Sequence, residues 1–227
     1  MNIPRLSIIV PAYNEEKYIA LTLKAIAAQE YKNIEVIVVD NNSKDRTVEK
    51  AKEFKVRVVT EKKQGITHAR QCGFAHATGE IVAKVDADTR LPKHWATRIM
   101  QEFDRRPNIV GVSGLPEFTE EGKFLRIVSK ISFILTIYSI RLLFGHFQLV
   151  GSNCAVRKSA IQNITPHFDD SMVHEDIDLA CHIEKRGKIV FLSSLTVSTS
   201  ARRFKKSPLE FFRYVILTFR TFKLHHL

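Results

Sequence analysis

Short apolar runs alternate with helical periodicities along the first half of the chain. Between the runs, apolar residues recur at helical spacing over Glu15 to Gln29, from near Ser43 through Phe54, and over Thr67 to Ala77. Strands that alternate with helices of this length are typical of βα units in a mostly parallel sheet, so we expect an α/β fold with a Rossmann-like first half. The runs that predict strands are Leu6 to Val10, Glu35 to Asp40, Val56 to Thr60, Glu80 to Val85 and Ile109 to Ser113.

The second half of the chain has a less regular pattern. It predicts strands at Val150 to Val156 and at Lys188 to Ser193, with a helix over Glu175 to Lys185 that ends at Gly187. No internal repeat, low-complexity tract or linker divides the 227 residues, which suit one globular domain. We expect a single domain over residues 1–200, followed by a basic loop and an amphipathic C-terminal helix over 201–227.

One apolar segment of the second half leaves two interpretations open. Arg141 is the only formally charged residue from Ile131 to Val156, and it divides this run into stretches shorter than a membrane span. We therefore expect no transmembrane helix here. Residues Phe124 to Phe147 form either a core helix or an amphipathic helix at a lipid interface.

The tail after Pro208 carries apolar residues at helical spacing with basic residues between them. A basic, aromatic-rich helix packs on its own domain or docks on anionic lipid, and we expect a peripheral membrane contact. The apolar positions are Leu209, Phe212, Val215, Ile216, Phe219 and Phe222, and the basic positions are Arg213, Arg220 and Lys223.

Charge and cysteine content only slightly restrict the possible partners and the cellular compartment. Lysine and arginine total 35 against 24 acidic residues, and the net charge of +11 would attract nucleic acid, acidic lipid or a phosphorylated substrate. Cys72, Cys154 and Cys181 include no CxxC pair, which argues against a disulfide framework and a zinc knuckle. Because the first apolar run is also too short for a secretory signal, we expect a cytoplasmic protein.

Polar residues directly follow three of the predicted strands. Asn14 and Glu15 follow the first strand, Asp40 ends the second, and Asp86 and Asp88 follow the fourth. In open α/β sheets ligands bind beyond the carboxyl ends of the strands, so these side chains are expected at one edge. The two aspartates, separated by one residue, can hold a hard divalent cation that bridges to phosphate oxygens. An exposed acidic turn is the alternative for this pair.

The other polar sets have structural alternatives too. Residues Pro11 to Glu15 form either a loop in which Asn14 caps the next helix or the wall of a ligand pocket. Asp40 belongs to a turn or accepts hydrogen bonds from a base or a ribose. Glu175 and Asp176 open a predicted helix, where acidic residues complement the helix dipole or supply a general base.

The histidines do not show the spacing of metal-ligand pairs. We expect surface or core roles for His68, His76, His94, His146, His167 and His182. His174 precedes Glu175 and Asp176 and is the histidine best placed to touch a diphosphate or a metal. His225 and His226 belong to the tail and receive no predicted role.

Five motifs occur together and in order along most of the chain. The set resembles the family-2 glycosyltransferases with the GT-A fold, over about residue 6 to about residue 190. Their joint occurrence is far more specific than any one motif. The motifs are Ile9 to Glu15, Val38 to Thr47, Gly65 to Gly73 with Ala69 and Arg70, Asp86 to Asp88, and His174 to Asp176.

The resemblance implies transfer of a sugar from a UDP- or GDP-sugar to an acceptor hydroxyl, with inversion at the anomeric carbon. It implies that Asp86 and Asp88 bind Mn²⁺ or Mg²⁺ with the donor diphosphate, Asp88 more directly. It makes Asp176 the catalytic base and Glu175 an alternate base or an acceptor contact. The residues that it places at the nucleotide are Pro11, Ala12, Tyr13, Glu15, Asp40, Arg70 and Asp86.

The resemblance also assigns the parts of the domain. Residues from about 1 to 115 would bind the nucleotide sugar, and about 116 to 200 would bind the acceptor, a saccharide or a lipid-linked group such as polyprenyl phosphate. Arg202 and Arg203 stand where many family members carry a Gln/Arg-x-x-Arg-Trp motif, and they either close over the diphosphate or form a solvated basic loop. Because the usual motif is absent, processive polymer synthesis is not expected.

Two other functions compete with this interpretation. A nucleotidyltransferase also uses a Rossmann-like sheet and metal-binding aspartates, but it usually has a glycine-rich phosphate loop, and Pro11 to Glu15 contains no glycine. A non-enzymatic lipid- or nucleic-acid-binding module fits the net charge, and its binding would survive the loss of Asp88 and Asp176. We expect the transferase, with no nucleic-acid partner.

Overall fold

A mixed seven-stranded sheet forms the centre of the protein. The computed structural model describes residues 5–118, 122–200, 202 and 209–226. The strands are β1 (Leu6–Ala12), β2 (Ile34–Asp40), β3 (Arg57–Thr60), β4 (Ile81–Lys84), β5 (Ile109–Phe118), β6 (Cys154–Arg157) and β7 (Lys188–Thr199). They lie in the order β3-β2-β1-β4-β6-β5-β7; β6 is antiparallel to both of its neighbours, and the other neighbours are parallel. The expected α/β fold in a single domain is confirmed.

Helices follow the strands in alternation through the first half. They are α1 (Ile19–Ala27), α2 (Thr47–Lys52), α3 (Ile66–His76), α4 (Trp95–Arg105), α5 (Lys123–Phe144), α6 (Lys158–Ile161), α7 (Glu175–Ile183) and α8 (Leu209–His226). A short 3₁₀-helix over Glu184–Arg186 continues α7 and ends at Gly187. This turn accounts for the end of the predicted helix at that glycine.

The core lies on both faces of the sheet. All seven residues of β1 are buried. Ile8 and Val10 pack in the cluster that contains the apolar side of α1, whereas Ile9 packs with Phe74 of α3 in a second cluster. A strand covered on both faces needs apolar side chains at consecutive positions, which explains why the first apolar run shows no alternation.

The helix α4 was not predicted from the sequence. It buries Trp95, Ile99 and Phe103, which recur every four residues. The indole Nε1 of Trp95 donates a hydrogen bond to Asn153 Oδ1 at 2.7 Å, so the helix also ties the two halves of the chain together.

The predicted starts of one helix and one strand were wrong. Asn14 does not cap α1, which begins at Ile19; Asn14 has a left-handed φ of 55°, and its Oδ1 accepts a hydrogen bond from the Lys44 backbone N–H at 2.8 Å. The strand predicted from Val150 begins only at Cys154, because the preceding residues form a turn in which the Val150 carbonyl accepts from the Asn153 N–H at 2.8 Å.

The long helix α5 is neither divided nor buried. It continues through Arg141, whose guanidinium lies 4.7 Å from the ring centre of Phe147, so the charge that divides the apolar run of the sequence does not divide the helix. Residues Arg126–Phe144 have a mean hydropathy of 1.7, and only 11% of them are buried. The core-helix interpretation was therefore wrong. By length and composition alone this helix is able to cross a membrane, which is weak evidence because helices of soluble proteins pass the same test.

The C-terminal helix α8 packs on the domain with one face. The ring of its buried Phe222 stacks on Phe144 of α5 with centroids 3.7 Å apart, and Thr221 is also buried. Ile216, Phe219 and other apolar residues remain exposed on it. The predicted tail helix is thus present, with apolar side chains both against the domain and toward solvent.

Three histidines lie together where α8 meets α7. His167, His182 and His225 surround the buried carboxylate of Asp178. From the sequence we expected surface or core roles for His167 and His182, and their spacing along the chain gives no sign that the fold brings them to the same carboxylate.

Candidate active site

A cleft of about 810 Å³ lies at the carboxyl edge of the parallel strands. Residues that follow β1, β2 and β4 form part of its lining, which we call the strand side. The turn before β6, the start of α7 and one face of α8 form a second part, which we call the helix side. The lining includes Pro11, Ala12, Tyr13, Glu15, Asn41, Asp86, Asp88, Gly151, His174, Glu175, Asp176, Arg202 and Tyr214.

The loop after β1 is fixed by the loop after β2. The backbone N–H of Asn14 donates to Ser43 Oγ at 3.0 Å, and that of Glu15 donates to Thr47 Oγ1 at 2.7 Å. These bonds hold the segment in an irregular conformation that an isolated turn would not keep. Tyr13 consequently projects at the cleft with about half of its surface exposed.

At the end of β2, Asn41 lines the cleft in place of the predicted residue, Asp40. Asp40 is buried, and its Oδ1 accepts a hydrogen bond from the Ser43 N–H at 3.1 Å, as in the turn that the sequence allowed. Asn41 reaches the cleft instead. Its Nδ2 donates to the carbonyl of Lys63 at 2.7 Å, and its Oδ1 accepts from the Gly65 N–H at 2.9 Å. Asn41 therefore fixes the loop that enters α3.

The acidic pair after β4 lies at the open part of the cleft. The side chain of Asp86 is 42% exposed, whereas that of Asp88 is 12% exposed. Asp88 Oδ2 lies 3.2 Å from Arg202 Nε, and its Oδ1 accepts from Thr199 Oγ1 at 3.3 Å. Burial and the negative charge of Asp86 raise the pKa of Asp88 to about 6, although Arg202 opposes the shift.

Glu15 brings a third carboxylate to the same place. It forms an ion pair with Arg202, whose guanidinium also lies 4.4 Å from the ring centre of Tyr18. The second oxygen of Glu15, Oε2, is buried without a hydrogen-bond partner among the described residues. Arg202 thus contacts two carboxylates of the cleft, while Arg203 lies outside the described residues.

The helix side carries a buried ion network around Lys84. This lysine ends β4, and its Nζ lies 2.5 Å from Glu175 Oε1, 3.1 Å from Asp176 Oδ1 and 3.7 Å from Asp86 Oδ1. Glu175 and Asp176 open α7 as predicted. One ammonium group therefore connects the predicted base to the acidic pair.

Arg70 lies behind this network and not in the cleft lining. Its side chain is fully buried, and Nη1 donates to the carbonyl oxygen of Glu175 at 2.5 Å and to its carboxylate. The contact holds the first turn of α7. Geometry favours a positioning role for Arg70 over a direct contact with a nucleotide.

The two carboxylates of the network differ in proton affinity. Burial would raise the pKa of Glu175, but Lys84 and Arg70 hold it well below its usual value. Burial and the adjacent charge of Glu175 raise the pKa of Asp176 to about 7, despite the opposing effects of the two cations. The same carboxylates hold the pKa of Lys84 well above its usual value. Near neutral pH, Asp176 is the member of the network that exchanges a proton.

Gly151 leaves the space in which this network fits. A Cβ at this position would lie 2.2 Å from Asp176 Oδ2 and 2.4 Å from Lys84 Nζ. Any side chain there would displace one of the two charged groups. The absence of a side chain, and not backbone flexibility, is the property required here.

Helix α8 completes the helix side. Tyr214 lines the cleft, and its ring meets that of His174 edge to face at 4.7 Å. Its hydroxyl accepts a hydrogen bond from Gln148 Nε2 at 3.4 Å, and burial raises its pKa to about 12. The N–H of His174 donates to Thr221 Oγ1 at 2.8 Å, so the tail helix is bonded to the segment that starts α7.

Several lining residues were missed from the sequence. Lys84 is a charge at the end of the apolar run Ile81 to Lys84, and that placement was a usable signal. Gly151 follows an apolar run without any motif of its own, and Tyr214 lies in a helix whose apolar pattern hides it. Their roles depend on contacts that the sequence does not show.

Comparison with known proteins identifies the family of the chain. The sequence model of Glycosyl transferase family 2 matches residues 7–165. A poly-beta-1,6-N-acetyl-D-glucosamine synthase of Staphylococcus epidermidis is 27% identical over 181 residues, covering 76% of this chain and 44% of that protein. The chain spans between 18 and 48% of the length of such curated relatives.

Two solved structures have similar folds. A mannosyltransferase from Pyrobaculum calidifontis, in complex with GDP-Man and Mn²⁺, has a TM-score of 0.78 at 22% identity, covering 97% of this chain and 63% of its own. The glucosyl-3-phosphoglycerate synthase of Mycobacterium tuberculosis, with Mn²⁺, UDP and glucosyl-3-phosphoglycerate, has a TM-score of 0.70 at 18% identity, covering 94% and 77%. The family model covers more than half of the chain, and these likenesses show the fold. The protein belongs to Glycosyl transferase family 2, and its domain is a glycosyltransferase domain with the GT-A fold.

Proposed function

We propose that the domain transfers a sugar from a UDP- or GDP-sugar to an acceptor hydroxyl, with inversion at the anomeric carbon. Asp176 and the pair Asp86 and Asp88 line the same cleft, and this placement carries the proposal. Lys84 lies within 3.7 Å of a carboxylate oxygen of both Asp86 and Asp176, so a single small molecule can reach the metal-binding and base sites together. The cleft volume of about 810 Å³ falls within the usual range of cofactor sites.

The solved relatives support this class of donor. The archaeal mannosyltransferase was determined with GDP-Man and the mycobacterial synthase with UDP, both with Mn²⁺. Their fold matches nearly the whole of this chain, although fold alone does not transfer a substrate. The loop after β1 contributes the half-exposed ring of Tyr13, which supplies an aromatic face for a base.

The carboxylates after β4 fit a divalent cation. Asp86 and Asp88 present oxygen ligands, which Mn²⁺ and Mg²⁺ prefer, and the buried Glu15 Oε2 lacks a hydrogen-bond partner among the described residues. Burial and then the negative charge of Asp86 raise the pKa of Asp88, and a neighbouring cation would favour its ionised form. Held there by Asp88 and Asp86, Mn²⁺ or Mg²⁺ would neutralise the charge that develops on the leaving diphosphate.

Asp176 takes the proton of the attacking hydroxyl in this proposal. The acceptor oxygen bonds to the anomeric carbon as the bond from that carbon to the diphosphate oxygen breaks. The hydroxyl proton passes to Asp176, whose pKa of about 7 suits a general base at neutral pH. Arg202, already beside Asp88, offers a guanidinium to the diphosphate.

We further propose that the acceptor is presented at a membrane surface, as a lipid-linked saccharide or a polyprenyl phosphate. The exposed side of α5 forms a continuous apolar stripe, because its members recur every three or four residues. Ile137 and Ile140 of the same helix are buried against the domain, so the helix lies along the domain surface. The stripe consists of Phe124, Val128, Ile131, Leu135, Tyr138 and Leu142.

Charge supports a lipid surface as the partner of this stripe. The tail helix α8 exposes Ile216 and Phe219 together with the basic Arg220 and Lys223. A helix with apolar and basic side chains exposed binds anionic headgroups while its apolar side chains enter the interface. We place the protein peripherally on the cytoplasmic face of a membrane.

Nucleotide release from a donor panel tests the transferase proposal. The protein is incubated with UDP-, GDP- and dTDP-sugars, with Mn²⁺ or with EDTA, and the released nucleoside diphosphate is measured. We expect slow release from one donor, because water replaces the missing acceptor. EDTA and Asp88→Ala should each abolish it.

Asp104→Ala is the matched control, because Asp104 is exposed on α4 outside the cleft lining. It should release nucleotide at the rate of the unmodified protein. If no donor is hydrolysed and no nucleotide binds in a metal-dependent way, the transferase proposal is wrong. Salt-sensitive binding to vesicles or nucleic acid that survives Asp88→Ala would then favour the binding-module alternative.

A further inference from the structure

A second group of metal-binding side chains lies away from the cleft. His167 precedes α7, Asp178 and His182 lie one turn apart on α7, and His225 lies in the last turn of α8. None of the four belongs to the cleft lining. Their ligand atoms all lie within 4.8 Å of one another.

The three histidine side chains converge on one carboxylate oxygen of Asp178. Asp178 Oδ1 lies 2.6 Å from His167 Nδ1, 2.8 Å from His225 Nε2 and 3.6 Å from His182 Nε2. The other oxygen, Oδ2, accepts the backbone N–H of His167 at 3.1 Å, which fixes the orientation of the carboxylate. Asp178 is fully buried, and the His225 side chain is 5% exposed.

Hydrogen bonds alone leave this group incomplete. Asp178 Oδ1 can accept from His167 and His225, which fill its two lone pairs. His182 Nε2 is then buried with no hydrogen-bond partner among the described residues. A buried nitrogen beside an oxygen whose lone pairs are already used is available to bind a cation.

We propose that these residues form a structural zinc site that fastens α8 to α7. Three imidazole nitrogens and one carboxylate oxygen make a closed tetrahedral set of the kind that Zn²⁺ prefers. With metal–ligand bonds of about 2.0–2.2 Å, the ligand atoms of a tetrahedron lie about 3.4 Å apart, and the distances of 2.6 to 3.6 Å from Asp178 Oδ1 to the three nitrogens bracket that spacing. The site differs in ligand type from the oxygen-rich Asp86 and Asp88 pair.

The position of the site gives it a consequence for the cleft. Asp178 follows the predicted base Asp176 by two residues on α7, and α8 carries Tyr214 into the cleft lining. Zinc held between these helices would stabilise the helix side as a unit. The inference stands independently of the proposed transferase reaction, because it concerns metal content and stability.

Metal analysis of untagged protein tests the site. After exhaustive dialysis against metal-free buffer, elemental analysis should find one zinc ion per chain in the unmodified protein and in Asp88→Ala, which alters only the cleft. His182→Gln and His225→Gln should each lose it. His94→Gln, at an exposed histidine outside the cluster, should retain it.

Cobalt substitution gives a readout that does not depend on the variants folding. Unmodified protein stripped of zinc with a chelator and loaded with Co²⁺ should show the strong visible absorption of a tetrahedral site, and zinc should displace it. Stripping should also lower the melting temperature, and added Zn²⁺ should restore it. If the protein retains no zinc, and Co²⁺ gives no tetrahedral spectrum, the proposal is wrong; retention of zinc by His182→Gln would also overturn it.

Discussion

The strand side and the helix side of the cleft are built in different ways. On the strand side, Tyr13, Asn41 and Asp86 lie within two residues of a strand end, and the sheet alone brings them together. On the helix side, Asp176 depends on Lys84, which lies 92 residues earlier in the sequence. The residues of the strand side can therefore be identified from their positions next to strand ends. The protonation of the predicted base, in contrast, is determined by long-range contacts.

The two variants with the largest expected effects should change different quantities: a change on the helix side should lower kcat, and a change on the strand side should weaken donor binding. Asp176→Asn keeps the shape of the side chain but cannot accept a proton, so we expect kcat to fall by about 10² to 10⁴-fold with donor binding unchanged. Asp88→Ala should instead weaken metal-dependent donor binding. Steady-state kinetics together with calorimetric titration of the donor measures both quantities.

Asp104→Asn provides the control for a change of charge away from the cleft. Its kcat and donor affinity should equal those of the unmodified protein. If Asp176→Asn retains full kcat, another group accepts the proton, and Glu175→Gln would then be the variant to measure.

A smaller loss should follow from crowding the helix side. In Gly151→Ala the added Cβ meets Asp176 Oδ2 at 2.2 Å and Lys84 Nζ at 2.4 Å, so one of them must move. A displacement of this size costs on the order of 100-fold in kcat. Gly122→Ala is the matched control, because nothing lies within 4 Å of a Cβ there. Equal activity of the two variants would contradict the crowded geometry.

Local patterns were sufficient to predict most of the strand side. Continuous apolar runs identified the strands because both faces of the sheet are covered, and the polar residues after them were expected at one edge. The position of Asp86 and Asp88 needed only the rule that parallel strands end together. Even here Asn41, and not Asp40, lines the cleft, because the carboxylate of Asp40 accepts a hydrogen bond within the turn.

Long-range packing explains what was not predicted. The exposure of α5 cannot be read from its composition, since a buried helix has the same apolar content. The cluster at Asp178 joins His167, His182 and His225 only when α8 lies on α7. Arg70 was expected near the nucleotide, but its contact with Glu175 spans 105 residues and has no local signal.

The pH dependence of kcat should report the ion network on the helix side. With a pKa of about 7, Asp176 is protonated at low pH and cannot act as a base, so kcat should fall as the pH drops below about 7. Lys84 lowers this pKa and Glu175 raises it. Lys84→Met should therefore move the acid limb to higher pH, and Glu175→Gln should move it to lower pH. Shifts in the same direction would contradict this assignment.

The smallest expected effect is on membrane binding by the outer surface of the second half. Apolar side chains are exposed there on α5, whereas those of the first half are mostly buried. Leu135 and Leu142 are 62% and 86% exposed, and full burial of a leucine side chain is worth about 1.5–3 kcal/mol. Partial insertion of two such residues predicts that Leu135→Ser with Leu142→Ser weakens binding to anionic vesicles by about tenfold. Sedimentation with vesicles measures this, and Leu21→Ser, at an exposed leucine of α1, should bind unchanged. Unaltered vesicle binding by the double variant would show that the stripe does not meet lipid.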